Sequence, residues 1–304
     1  MAVQRFEAVG EAVSCNLCGE PVFGRRDRVW RKDGHDILRC PSCGLTFRAD
    51  LPDAEALSEI YGPEYFADSA GELRGQGYLD YLGDEEEHRV NARKRLRLLR
   101  RYTTSGHLLD VGCAAGFFLD EARRSGWTVA GVDVSQAMAD YARDRALPVR
   151  ATPFLGTDFG DSKFDTVTMW DYIEHAIDPK AEFRRASDLL RPSGILALST
   201  GDAGSAVARI SGSRWHLLTP RHHNFFFTRR QLIRYLEEQD FEVLATKYLW
   251  SSYSAAYLAH KAQMLGDASH SGRVVRALEG RPFRQLQIPM NFFDIVTVIA
   301  RKLS

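Results

Sequence analysis

The feature that most restricts the fold is a regular exchange, from His107 onward, of short apolar runs for amphipathic stretches. Runs rich in Val, Leu, Ile and Thr predict strands at 107–111, 127–132, 148–151, 164–170 and 194–200. Apolar residues at three- and four-residue spacing predict helices near 116–125, 135–145 and 179–190. Two later strands, 241–249 and 294–301, come after a helix from Thr228 to Gln239. Strands and helices in this order predict an α/β fold: a doubly wound, mostly parallel seven-stranded sheet. Ligands of such sheets bind beyond the carboxyl ends of the strands, where successive connections leave for opposite faces. The first strand-to-helix loop is therefore the first place to look for a site.

That loop reads Leu109-Asp110-Val111-Gly112-Cys113-Ala114-Ala115-Gly116-Phe117. Gly112 and Gly116 allow a tight turn, and the free N–H groups of the following helix suit a carboxylate or other polar group. A dinucleotide fingerprint would need glycine at 114 and a small residue at 117, where Ala114 and Phe117 stand, so a nicotinamide cofactor is disfavoured. Asp110 fits poorly beside a pyrophosphate and well beside a cationic amino group. The second strand ends in Gly131-Val132-Asp133-Val134-Ser135, which places Asp133 to accept hydrogen bonds from ribose hydroxyls. The alternative for Asp133 is to cap the helix that begins near Ser135.

At these residues the chain resembles the class I S-adenosylmethionine-dependent methyltransferase family. Leu109 to Gly116 is similar to that family's first motif, with Ala114 replacing its middle glycine, and Gly131-Val132-Asp133 to its ribose-binding strand end. Phe164 to His175 resembles the fourth strand with its following Glu-His, and Leu190 to Leu196 the turn into the fifth. The resemblance spans roughly 85–304. It implies a cofactor site of Asp110, Gly112, Cys113, Gly116, Asp133, Val134, Phe154, Asp171 and Tyr81. After the third strand, Thr152-Pro153-Phe154 lacks the acid that many relatives direct at adenine, which leaves backbone groups and Phe154 for that role. A narrower likeness is to a bacterial subgroup that carries a cysteine ribbon before the methyltransferase domain. It rests on Tyr61 to Phe66, Arg214-Trp215, His223 to Thr228 and Asp294 to Val298, and implies small-molecule acceptors such as sugars and secondary metabolites.

The cysteines fit that layout. Four of the five lie before residue 44, as Cys15-Asn-Leu-Cys18-Gly and Cys40-Pro-Ser-Cys43-Gly. Two such knuckles bring four thiolates to one tetrahedral ion, with Gly19 and Gly44 relaxing the backbone, so a structural zinc on Cys15, Cys18, Cys40 and Cys43 is expected. Two disulfides or a redox pair are the alternatives, and His35 is a spare ligand or a surface residue. The chain then divides into a ribbon at 1–50, a helical connector or lid at 51–104, and a methyltransferase domain at 105–304 with a helical insertion near 250–290. In the connector, helices are predicted at Asp53 to Ile60 and Glu85 to Tyr102. Tyr61, Tyr65, Phe66, Tyr78 and Tyr81 lie between them as core, interface or lid. Arg93, Lys94, Arg95, Arg97, Arg100 and Arg101 read as a solvated helix face.

Transfer from the sulfonium needs a nucleophile held in line and, for a hydroxyl acceptor, a base. His223 is the first candidate, on the loop before the last helix, and His175 the second; His222 and His216 follow. Each can instead be structural. With 304 residues, 44% hydrophobic, and 40 basic against 40 acidic residues, the chain suits one substantial domain plus an appendage. It carries no overall charge footprint for nucleic acid. No long apolar run or leader-like start is present, so a cytoplasmic protein without a membrane span is expected, as a possible homodimer. An RNA or protein methyltransferase that uses the ribbon for recognition, and a non-catalytic nucleoside-binding partner protein, remain as alternatives.

Overall fold

The computed structural model describes residues 12–24, 26–53, 60, 61, 63–66, 80–254 and 287–303. Its centre is a seven-stranded sheet. In chain order the strands are β1 (His107–Val111), β2 (Thr128–Asp133), β3 (Val149–Ala151), β4 (Phe164–Trp170), β5 (Leu190–Gly201), β6 (Phe241–Lys247) and β7 (Ile295–Lys302). Across the sheet the order is β6-β7-β5-β4-β1-β2-β3. β3, β2, β1, β4 and β5 are parallel, and β7 inserts antiparallel between β5 and β6. The connections reverse direction between β1 and β4, which opens the cleft that a doubly wound sheet offers a ligand.

Besides a single helical turn at Pro63–Phe66, the helices are α1 (Glu85–Leu99), α2 (Phe117–Arg124), α3 (Gln136–Arg143), α4 (Pro179–Leu189), α5 (Ala206–Ser211) and α6 (Arg229–Glu237). Strand side chains alternate between the two faces, and so do their partners. Leu109 and Val111 pack with Phe183 and Leu189 of α4 and Leu232, Tyr235 and Leu236 of α6. Leu108 packs on the other face with Leu96 and Leu99 of α1, Phe118 and Leu119 of α2, and Ala139 and Ala142 of α3. Both layers are almost free of solvent, with Leu108, Leu109, Val167, Leu198 and Phe183 all 0% exposed. α6 begins with a reciprocal cap in which Thr228 accepts from the Gln231 N–H and Gln231 accepts from the Thr228 N–H.

The ribbon joins the same core. Its strands Arg28–Lys32, His35–Arg39 and Thr46–Arg48 form an antiparallel sheet whose fourth strand, Phe225–Phe226, belongs to the methyltransferase domain. Leu17, Val22, Leu38, Leu45 and Phe47 are buried with the α4 and α6 side chains. Within the 250–290 insertion, Ser251–Ser254 pairs antiparallel with Gln287–Met290. α1 fastens this hairpin through Asn91, which donates to the Ser252 carbonyl at 2.9 Å and accepts from its N–H at 2.8 Å. The helical part of the expected insertion, most of the expected 53–60 helix, and Tyr78 lie outside the described residues. Among the described residues no helix is long and apolar enough to cross a membrane.

Candidate active site and four-cysteine centre

The β1–α2 loop has the shape its glycines demand. Gly112 and Gly116 adopt φ of +70° and +76°. A Cβ at 112 would stand 2.5 Å from the Tyr172 ring, and one at 116 would stand 2.6 Å from Leu147. Ala114 itself has φ +45°, a left-handed conformation that favours glycine. Asp133 braces this turn: it accepts from the Ala114 N–H at 2.7 Å and from the Ser135 N–H at 2.9 Å. Each oxygen keeps a further lone pair for a ribose hydroxyl. Val134 is half-buried beside it. Asp110 is buried at the end of β1, accepts from Thr168 Oγ1 at 2.6 Å, and is pushed up to about 7 by burial. Thr168 and Arg95 oppose that rise, and the Asp133 charge adds to it. A cationic amino group beside Asp110 would restore its charge, so the buried acids fit S-adenosylmethionine by charge as well as position.

The other expected cofactor residues are placed differently. The Cys113 side chain packs in the core, and burial pushes its thiol well up. Phe154 is 2% exposed, with its ring 6.4 Å from that of Phe159. Asp171 follows β4 with φ +51°, accepts from Ser199 Oγ at 2.7 Å and forms an ion pair with Arg95. Tyr81 groups with the His88 and Phe117 rings, centroids 4.1 and 5.7 Å away, and belongs to an apolar cluster with Phe66, Ala114, Ala115 and Met138. The connector aromatics thus cover the glycine loop. The arginine run keeps the expected solvated face at Arg93, Arg97, Arg100 and Arg101, but Arg95 turns inward to Asp171 and lies over the Trp170 ring at 4.9 Å. Arg89, nearer the start of α1, is also buried and pairs with Asp120 and Glu121 of α2.

Next to this cleft lies a cluster of imidazoles. His175 Nδ1 stands 2.5 Å from Tyr61 Oη and 2.9 Å from the His222 carbonyl, and His223 Nδ1 stands 2.9 Å from the Leu217 carbonyl. The His175 and His223 rings meet edge to face at 4.7 Å. Burial lowers His175 to about 4 and His223 well below its usual value. Both rings are therefore neutral at physiological pH, and a carbonyl on each Nδ1 leaves the lone pair on Nε2. His222 is buried with neither ring nitrogen hydrogen-bonded, and burial lowers it to about 3. Burial also pushes the Glu174 carboxyl up to about 8. A carboxylate oxygen of Glu174 and a nitrogen of each of His175 and His223 lie within 4.8 Å of one another. Tyr61 was expected only as core, interface or lid and His222 only as a lesser base, Glu174 was given no part in the expected site, and His216 sits apart, 2.8 Å from Asp294 Oδ2.

The four expected cysteines come together. Cys15 and Cys43 sulfurs are 3.5 Å apart, as are those of Cys18 and Cys40, and all four lie within 4.8 Å of one another. A tetrahedral zinc with bonds of about 2.3 Å sets its ligands roughly 3.8 Å apart, so the set fits one ion. Gly19 and Gly44, at φ +76° and +74°, close the knuckles onto the Cys15 and Cys40 carbonyls. Burial raises the Cys40 thiol, but the Cys43 and Ser42 N–H groups outweigh it and hold that thiol below its usual value. Burial pushes Cys15 up to about 11, a cost that a bound cation would remove. His35 is not part of the set; it pairs with Asp50 at 2.7 Å.

Comparison with known proteins agrees with this geometry. The family described as methyltransferase domain matches residues 84–246. A ubiquinone biosynthesis O-methyltransferase of Dinoroseobacter shibae is 30% identical over 152 residues, covering 46% of this chain and 61% of the relative. One of Coxiella burnetii is 29% identical over 122 residues, covering 37% of this chain and 51% of the relative. The chain thus spans about half the length of the curated relatives it matches. Among solved structures, one from the complex of the Haloferax volcanii Trm112 methyltransferase activator with a methyltransferase aligns at TM-score 0.52 and 15% identity. It covers 79% of this chain and 97% of that one. With the motif order, the strand order and the family match in agreement, the chain belongs to the class I S-adenosylmethionine-dependent methyltransferase family.

Proposed function

We propose that this protein transfers the methyl group of S-adenosylmethionine to a hydroxyl of a small-molecule acceptor, such as a sugar or secondary metabolite, with His223 as general base and His175 beside it. The observation that carries the reading is the adjacency of the two halves of the site. The Tyr172 ring reaches the position of a Cβ on Gly112, and three residues later His175 meets His223 edge to face. A nucleophile held between them would face the sulfonium in line and pass its proton to a neutral Nε2. The relatives named as O-methyltransferases support oxygen as the acceptor atom.

In this reading Asp110, Gly112, Gly116, Asp133, Val134 and Asp171 hold the cofactor, together with the backbone of Cys113 and Phe154. Tyr81 and its aromatic neighbours cover it, which excludes water. Cys15, Cys18, Cys40 and Cys43 hold a structural zinc. Ribbon surface is used up in packing on α4 and α6, which supports a structural role over recognition of RNA or protein. The test is S-adenosylhomocysteine release from the zinc-loaded protein with a panel of hydroxylated sugars and phenols. His223→Ala should cut kcat by about 10²- to 10⁴-fold and leave cofactor affinity unchanged. Turnover equal to wild type would overturn the assignment of the base.

A further inference from the structure

The segment that carries His222 and His223 is gripped from both sides. On one side Asn224 donates its N–H to the Glu174 carbonyl at 2.8 Å and its Nδ2 to the His175 carbonyl at 2.8 Å. On the other side is the ribbon. Arg48 is buried, its N–H donates to the Asn224 carbonyl at 2.9 Å, and its Nη1 donates to the Pro220 carbonyl at 3.0 Å. Thr46 and Phe47 continue the contact as strand partners of Phe226 and Phe225. Asp50 steadies the guanidinium at 3.3 Å and is itself bound by His35. A second fastening runs directly to the metal knuckle, where Gln231 Nε2 donates to the Cys43 carbonyl at 3.0 Å. Tyr235 Oη and Asp178 both bond Asn16, between Cys15 and Cys18.

The residues around the base therefore hang from the ribbon, whereas the bonds that brace the glycine loop stay within it. Asp133 accepts from the Ala114 and Ser135 amides, and among the described residues no ribbon residue hydrogen-bonds to it. We propose that the ribbon is a working wall of the acceptor site, with Arg48 as the positioning residue through which the four-cysteine centre sets His223. Arg48 ties the two carbonyls that bracket His222 and His223, the one at 220 through its guanidinium and the one at 224 through its main-chain N–H. Without the guanidinium the 220–224 turn keeps the main-chain bond at 224, the Tyr61 hydroxyl on the His222 carbonyl and its bonds to the 174–176 turn, but loses its hold at Pro220, and the His223 ring can shift from the in-line geometry. A misplacement of about 1 Å can cost 10²-fold in rate. The inference rests on the proposed base for its kinetic arm alone.

The experiment compares zinc-loaded wild type with Arg48→Met, which keeps the stem and loses the donors, and Arg48→Lys, which keeps one donor toward Pro220. Three quantities are read: S-adenosylhomocysteine affinity by calorimetry, kcat against KM, and the Nδ1–H resonance of His223 by nitrogen-edited NMR. We expect affinity within twofold of wild type in both variants. For Arg48→Met we expect kcat lower by tenfold or more, with the Nδ1–H signal lost to exchange; Arg48→Lys should recover part of both. Should Arg48→Met not fold, Gln231→Glu, which keeps the oxygen that caps Thr228 and loses the Nε2 donor to the Cys43 carbonyl, severs the second fastening and is read the same way. Chelation of zinc from wild type should reproduce the loss of the Nδ1–H signal while affinity persists. If wild type turns over no acceptor, the function proposed above fails while the resonance and affinity still decide this inference. An unchanged Nδ1–H signal in a folded Arg48→Met and after chelation would overturn it.

Discussion

The cofactor loop and the histidine cluster are neighbours built on opposite plans. The loop is made by one stretch of chain, from Asp110 to Ser135, and its decisive bonds are internal: Asp133 to the Ala114 and Ser135 amides. The cluster draws Tyr61 from the connector, Glu174 and His175 from the turn after β4, and His222 and His223 from the loop before α6. The ribbon holds the last of these by a shared strand. A binding site that every family member needs can be local and rigid. The part that meets the acceptor is assembled across the fold, where changes in a lid or an appended module can reshape it without disturbing the cofactor.

The sharpest break of this comparison is Asp133→Ala. Two ribose hydroxyls would each lose a charged acceptor worth about 1.5–3 kcal/mol, so affinity for S-adenosylhomocysteine should fall by about 100-fold or more. Because Asp133 also ties two loop amides, thermal stability should drop as well, which position at the strand end alone did not imply. Calorimetry with unchanged affinity would remove Asp133 from the site. The His223 Nδ1–H signal should be untouched, since the cluster is supported elsewhere.

Gly112→Ala is expected to act next most strongly, and through packing. A left-handed alanine costs about 1–2 kcal/mol, and displacement of the Tyr172 ring about 1–3 kcal/mol more. Here the two regions should respond together, since Tyr172 leads directly to Glu174 and His175. Denaturant unfolding with wild-type stability would show that the loop relaxes away from Tyr172. The Asp110-to-Ser135 stretch was readable because each of these demands is local: a glycine where φ is positive, an acid at a strand end. The cluster was not. Tyr61 and Glu174 carry no spacing relation to His223, and they meet it through long-range bonds: Asn224 N–H to the Glu174 carbonyl, and the Tyr61 hydroxyl to His175 and to the His222 carbonyl.

The smallest effect belongs to His222. Its ring makes no hydrogen bond, so His222→Leu should be neutral or stabilising at pH 7 by about 1 kcal/mol. The pH dependence has a definite sign. The folded ring is lowered to about 3 by burial, whereas the unfolded ring titrates near 6.5. Between those values the unfolded chain binds the extra proton, so wild-type stability falls as pH drops below about 6.5. The advantage of the leucine variant should therefore grow by about 1.4 kcal/mol per pH unit as pH falls below 6.5. A constant difference between the two proteins from pH 7 to pH 5 would show that His222 is not held neutral.

By itself the sequence determined the strand and helix order, the four-cysteine set and the glycine turn after β1. Residue periodicity, two-residue cysteine spacing and glycine placement each report on a few adjacent positions. The 107–111 and 164–170 strands were placed to the residue, and the 194–200 strand extends to Leu190–Gly201. Tertiary structure alone decided that Arg95 turns from a basic helix face onto Asp171, that Phe154 and Cys113 point into the core, and that the ribbon shares a sheet with the histidine loop. The reason is the range over which the forces act. Backbone conformation is chosen within a turn of the chain, whereas burial and charge pairing are settled only when segments as distant as Arg48 and Pro220 meet and exclude water between them.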